Sequence, residues 1–116
     1  MTKTIYLASP YSHDDASVRE ERFECACIAA AGLMQRGHIV FSPVAHSHAV
    51  AKFLPHKLWL DHDFWMKQDM EILLNCTELV VLMIEGWEDS KGVKREIEEA
   101  LAHNIPVTYL KWESYD

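Results

Sequence analysis

The type and position of Glu96 could support nucleophilic chemistry. At about 100° per residue, Glu96 lies beside the apolar stripe of Val93 and Ile97 in a predicted helix over residues 91–103. It also follows by about one helical turn the segment 87–92, where a helix N-terminus and a glycine would let backbone amides approach an anion. A carboxylate held ionised beside an anion site suits a nucleophile. The plainer alternative is an ordinary glutamate at the core boundary.

Asp69 lies where the helical pattern predicts an apolar face. A helix is predicted over residues 58–76, with a possible restart at the cluster 61–63. The residues within about 60° of Asp69 on this helix are Trp65, Ile72, Leu73 and Cys76. An aspartate in such a stripe must be paired, protonated or chemically active. A structural hydrogen bond or a position at a helix end is the alternative.

Four short apolar runs predict the strands that position these groups: residues 4–8, 38–42, 79–84 and 105–110. Helices are predicted over residues 15–36, 58–76 and 91–103, and residues 43–55 form a loop or a short helix. The run 79–84 is continuously apolar, which is typical of a strand buried on both faces.

This alternation of strands and helices predicts right-handed crossovers and a sheet covered on both sides. We therefore expect a single-domain, three-layer α/β fold of Rossmann or flavodoxin type over residues 1–116, with four or five mostly parallel strands. Ligands of such folds bind beyond the carboxyl ends of the strands. In this chain those ends are residues 8–12, 42–47 and 85–92.

Composition restricts the partners and the compartment. Eighteen acidic against eleven basic residues give a formal charge of −7, without a basic stripe, which argues against a nucleic-acid partner. Three cysteines in apolar helical stretches are typical of buried thiols in a reducing compartment. The sequence shows no leader of signal-peptide type and no apolar run long enough for a membrane span, so we expect a cytoplasmic protein.

Histidines in the middle of the chain raise the question of a metal site. His46, His48 and His56, with the acidic and histidine side chains of residues 61–63, offer nitrogen and oxygen ligands of types that zinc or iron accept. Their spacing matches no compact metal motif, so we predict no metal. His46 follows the second strand and is a candidate substrate contact.

Three segments together resemble the nucleoside 2-deoxyribosyltransferase-like superfamily. This superfamily includes the 2'-deoxynucleoside 5'-phosphate N-hydrolases and small phage and bacterial proteins of similar length. The resemblance covers almost the whole chain and depends on the strand and loop 5–12, the helix segment 69–73 and the segment 86–96. The last is the most specific, because it carries Ser-x-Gly-x-x-x-Glu at the start of a helix after an apolar strand.

The resemblance implies a role for each matching residue. Glu96 matches the nucleophile, Asp69 the carboxylate that binds substrate and handles protons, and Tyr6 the tyrosine that orients the glutamate. The implied substrate contacts are Ser9, Pro10, Tyr11, Ser90 and Gly92. Nucleotide hydrolases of the superfamily carry an arginine in the loop after the first strand. This chain has none there, and the nearest is Arg19.

The implied reaction is cleavage or exchange of the N-glycosidic bond of a nucleoside or nucleoside 5'-monophosphate, through a glycosyl-enzyme intermediate and without a cofactor. A non-catalytic nucleotide or nucleotide-sugar binding module and a partner-binding protein are the alternatives. Relatives form dimers or larger assemblies. Four tryptophans at positions 59, 65, 87 and 112 also suit a subunit contact, so a homo-oligomer, dimer or tetramer, is expected.

Overall fold

The computed structural model describes residues 2–112, so both ends of the predicted domain 1–116 lie outside the described residues. The strands are β1 (Thr4–Ala8), β2 (Ile39–Phe41), β3 (Glu78–Met83) and β4 (Val107–Lys111). The α-helices are α1 (Ala16–Gln35), α2 (Pro43–Ala51), α3 (His62–Leu73) and α4 (Lys91–Ala102). Short 3₁₀ turns occupy His56–Leu58 and Trp87–Asp89.

The four strands form one parallel sheet in the order β2-β1-β3-β4. Side chains of β1 and β3 alternate between two cores, because successive strand residues face opposite sides. One core packs against α1 and contains Ile5 and Leu7. The other contains Tyr6 and packs against α3 and α4. The predicted three-layer α/β fold is therefore confirmed.

Segment 43–55, which the sequence left open, contains the helix α2. Ser42 caps it, because the Ser42 Oγ accepts a hydrogen bond from the Ala45 amide at 3.1 Å. Pro43 fits the first helical turn, where its missing N–H costs nothing. The second strand consequently ends at Phe41, one residue earlier than the pattern predicted.

The helix that carries Asp69 begins at His62 and ends at Leu73, which makes it shorter than the predicted range 58–76. The Asp61 side chain accepts a hydrogen bond from the Phe64 amide at 3.1 Å and thereby caps the helix. The acidic cluster that suggested a restart is thus the start of α3. Within the described part of the chain, no helix is long and apolar enough to cross a bilayer.

Candidate active site

A cavity of about 500 Å³ opens at the carboxyl ends of the strands, where the fold predicts a ligand site. Its wall combines the loop after β1, one side of α2 from start to end, the segment 59–69, and the loop and helix segment 86–96, with Arg22 of α1. The predicted site residues that line it are Ser9, Tyr11, Asp69, Ser90, Gly92 and Glu96. Groups far apart in sequence therefore share one cavity.

Glu96 lines this cavity and is only 3% exposed. Tyr6, fully buried on the central strand β1, donates a hydrogen bond from its hydroxyl to Oε2 of Glu96. Glu96 is held in place by helix α4. The start of this helix is stabilised by Ser90, whose side chain accepts a hydrogen bond from the Val93 amide at 3.2 Å. The tyrosine that the resemblance assigned to orienting Glu96 is thus in contact with it.

Burial raises the pKa of Glu96 to about 8. The hydrogen bond from Tyr6 opposes this shift because it stabilises the ionised carboxylate, whereas the negative charge of Asp69 adds to it. At pH 7 a carboxyl with this pKa is mainly protonated. Desolvation therefore opposes the ionised state that the sequence predicted for Glu96, and the ionised state stays a prediction.

Asp69 is 4% exposed and lines the same cavity. Desolvation raises its pKa to about 7. Within residues 2–112 no ion pair or hydrogen bond of its carboxyl group is found. Of the three predicted states, paired, protonated or chemically active, the last two therefore remain. The helix-end alternative is wrong, because Asp69 lies in the interior of α3.

The remaining predicted contacts differ in their positions. Ser9 is 6% exposed, and its buried Oγ has no hydrogen-bond partner among the described residues. A buried hydroxyl of this kind is available to a ligand. Pro10 is buried next to it but does not line the cavity.

His46, predicted as a substrate contact, does not line the cavity. It is exposed on α2, with its ring centroid 5.8 Å from that of Phe41. The neighbouring Ser47 lines the cavity instead, and its buried Oγ has no partner among residues 2–112. The reason is that this segment is a helix, so consecutive side chains point about 100° apart.

Arg22 is a cavity residue that sequence reasoning missed. It reaches from α1 between two strand ends, donating to the carbonyls of Ser12 at 2.9 Å and Glu85 at 3.4 Å. Gly86 has a φ of 93°, and a Cβ at that position would overlap the guanidinium group. In the described part of the chain no carboxylate lies within 4 Å of Arg22, so its charge is free to meet an anion. The only sequence feature that could have predicted Arg22 as a site residue is its position, one turn after Arg19 on a helix that begins beside the cavity.

Two tryptophans form an aromatic part of the wall. The indole N–H of Trp59 donates to the Leu54 carbonyl at 3.0 Å, and that of Trp65 donates to the carbonyls of Leu58 and Trp59, both at 3.0 Å. Their polar atoms are thus bound to backbone, and both side chains are partly buried. They therefore offer rigid apolar surface to a flat ligand.

Among residues 2–112 no three or more His, Cys, Asp or Glu side chains are grouped so that they could hold a metal ion. The histidines that raised the question are engaged differently: His48 is hydrogen-bonded to Tyr11 and lies 2.8 Å from a carboxylate oxygen of Glu20, and the ring of His56 lies 4.7 Å from that of Trp59.

The fold of the chain is shared with a solved 2-deoxyribosyltransferase. A solved structure of the 2-deoxyribosyltransferase from Bacillus psychrosaccharolyticus, described as a biocatalyst for the synthesis of nucleosides, superposes with a TM-score of 0.67. The sequences are 23% identical, and the match covers 97% of this chain and 77% of that one. The predicted resemblance is thus confirmed at the level of the fold.

A family model matches residues 3–112, and its description is "Domain of unknown function (DUF1937)". The chain therefore belongs to this family. No curated protein matches it.

Proposed function

We propose that this protein cleaves or exchanges the N-glycosidic bond of a nucleoside or nucleoside 5'-monophosphate through Glu96. The observation that supports this most strongly is the buried Glu96 carboxyl, bonded to Tyr6, which shares a cavity with the unpaired buried Asp69. A binding module needs neither group, and burying both costs stability. The likeness to a deoxyribosyltransferase supports the same class of reaction at the level of the fold.

The first chemical step is a displacement at the anomeric carbon C1' of the sugar. Because Oε2 of Glu96 accepts the Tyr6 hydroxyl, Oε1 is the oxygen that attacks. The bond from Oε1 to C1' forms while the bond from C1' to the base nitrogen breaks, and its electron pair leaves with the base. Asp69 gives its proton to the departing base. The products are a glycosyl ester of Glu96 and a free base.

In the second step water or another base attacks C1' on the side that the first base has left. The Asp69 carboxylate takes the proton of this acceptor, and the carboxylate of Glu96 departs. Water as acceptor completes a hydrolase, and a second base completes a transferase. The two carboxyl groups return to their starting states in both cases.

For turnover the two carboxyl groups must hold one proton between them, and this proton must be on Asp69, so that Glu96 is ionised. Burial raises the pKa of both into the range of about 7 to 8, so a singly protonated pair is well populated near neutral pH. The Tyr6 hydrogen bond favours the ionised form of Glu96. Positive charge that develops at C1' in the transition state favours it further.

Arg22 supports the recognition of a substrate that carries a 5'-phosphate. Its guanidinium group borders the cavity together with Lys91 and with the capped start of α4. Arginine and a helix N-terminus are both suited to phosphate oxygens. The loop after β1 has no arginine in this chain. We therefore assign to Arg22, which reaches the cavity from α1, the phosphate contact that an arginine of this loop makes in the nucleotide hydrolases.

The test is incubation with deoxyribo- and ribonucleosides and their 5'-monophosphates, with and without an acceptor base, followed by chromatography of free and exchanged bases. Glu96→Gln keeps the volume of the side chain and should lower base release by at least about a thousandfold, because the amide is not a nucleophile. Glu98→Gln, an exposed position of the same helix, is the matched control and should retain activity. Base release at wild-type rate by Glu96→Gln would refute the proposal.

A further inference from the structure

A chain of polar contacts outside the carboxyl pair links three elements of the fold: a hydrogen bond between Tyr11 and His48, and a close contact between His48 and Glu20. The Tyr11 hydroxyl lies 2.7 Å from Nδ1 of His48 on α2, and Nε2 of His48 lies 2.8 Å from a carboxylate oxygen of Glu20 on α1. The His48 ring is stacked on Phe23, with 4.1 Å between the ring centroids. Tyr11 is therefore held from behind by side chains that no sequence pattern had assigned to the site.

The chemistry of the partners sets the direction of these hydrogen bonds. An ionised Glu20 only accepts, so Nε2 of His48 carries the hydrogen. In the neutral ring with its hydrogen on Nε2, Nδ1 has a free lone pair and accepts from the Tyr11 hydroxyl. The tyrosine hydrogen is thus committed to His48. What Tyr11 offers to the active-site cavity is its aromatic ring.

A second cavity of about 480 Å³ lies on the other side of Tyr11. Tyr11, Ala51 and Trp59 line both cavities, whereas His48 and Glu20 line only the second. The hydroxyl of Tyr11 therefore points toward the second cavity, and its ring is part of the division between the two. The charged groups that line the second cavity are Asp14, Arg19, Glu20, Lys52 and Lys57.

We propose that His48 and Glu20 are positioning residues that hold Tyr11 as a rigid wall of the active-site cavity. The wall presents a flat surface to a nucleobase and limits the size of the base by closing off the second cavity. The class of ligand rests on the proposed function, but the positioning of Tyr11 does not. Loss of the His48 contact leaves the Tyr11 hydroxyl with Arg19 as its partner, which loosens the ring, weakens binding of an ordinary base and joins the two cavities for a larger one.

The kinetic test compares Tyr11→Phe, which keeps the ring, with His48→Leu and with the partial replacement His48→Gln. For unmodified deoxynucleoside 5'-monophosphates, KM should rise about fivefold in Tyr11→Phe and His48→Leu, the effect of one lost hydrogen bond, with kcat within twofold. His48→Gln should recover part of the loss, because its amide can accept from Tyr11. The ratio of kcat/KM for an N6-benzyl purine nucleotide to that for the unmodified one should rise in the same variants. Unchanged KM and unchanged preference would overturn the proposal.

Two measurements separate this proposal from the failure of the proposed function. Nitrogen-15 spectra of His48 should show the hydrogen on Nε2 in the wild type and a mixture of tautomers in Glu20→Gln, whereas Glu24→Gln, exposed on the same helix, should leave the spectrum unchanged. A wild-type tautomer with the hydrogen on Nδ1 would overturn the positioning. If no substrate is turned over, calorimetric titration with the same nucleotides tests the wall. Equal affinity of wild type and Tyr11→Phe would then refute it.

Discussion

Side chains of β1 alternate between two cores, and the two cores differ in composition. On the α1 side, Ile5 and Leu7 pack in a buried cluster of aliphatic residues, with Cys25 and Trp112 packed against it. On the other side, Tyr6 packs among apolar residues of α3 and α4 but also bonds to the buried Glu96, with Asp69 nearby. The same strand thus stabilises the fold with one set of residues and orients the candidate nucleophile with the other.

The difference has an energetic consequence. Burial of apolar side chains stabilises the α1 side at any pH. On the other side, burial raises the pKa of Asp69, Glu96 and Tyr6, and each such shift measures the free-energy cost of the charged form. The site is therefore built from a part of the core that is less stable than an apolar core would be.

The largest expected effect that sharpens this comparison concerns Asp69. Asp69→Asn removes the proton donor, so base release from unactivated substrates should fall by about a hundred- to ten-thousandfold. The wild-type rate should follow a bell-shaped pH profile with apparent pKa values of the pair near 7 and 8, and the variant should lose the alkaline limb. A substrate with a good leaving group, such as a nitrophenyl glycoside, should recover much of the rate. Wild-type kinetics in Asp69→Asn would remove it from the mechanism.

The next effect concerns Arg22 at the rim of the same cavity. Arg22→Met should raise KM for a 5'-monophosphate by about ten- to a hundredfold, the range for a charge-assisted hydrogen bond, and leave KM for the nucleoside nearly unchanged. Arg36→Met, an exposed position at the end of α1, is the control. An equal change for nucleoside and nucleotide would show that Arg22 only supports the two loops it joins.

The last effect is on stability rather than activity and compares the two cores most directly. Because burial raises the pKa of Glu96 from 4.5 to about 8, its contribution to stability is complete below about pH 4.5 and is lost as pH rises toward 8. Glu96→Gln has no such titration. Its Tm relative to wild type should therefore rise between pH 5 and pH 9, on the order of 10 °C. Thermal unfolding across this range measures it, and a pH-independent difference would contradict the raised pKa.

Periodicity was sufficient for the fold and for the two carboxyl groups. Asp69 and Glu96 could be found because acidic residues interrupt otherwise apolar helix faces, a signal that local sequence carries. The raised pKa of Glu96 could not be predicted, because desolvation depends on what α3 and β1 place around it. The oligomeric state and the cytoplasmic location stay predictions.

Residues that act across the fold were the ones that sequence reasoning missed. Arg22 enters the site because α1 begins beside the ends of β1 and β3, and no spacing within the helix reveals that. His46 was chosen over Ser47 because the segment after β2 could not be assigned as a helix. Which of two neighbouring residues meets a ligand depends on that assignment alone.

Gly86 has no side chain, yet we expect it to tolerate few substitutions. Gly86 has a left-handed backbone conformation. The space that a Cβ would need at this position is filled by the guanidinium group of Arg22, which comes from a helix more than sixty residues earlier. Even alanine at position 86 would displace that group and strain the turn. In a saturation screen for activity, Gly86 should therefore tolerate as few replacements as a residue that contacts substrate, and compensating changes should map to Arg22.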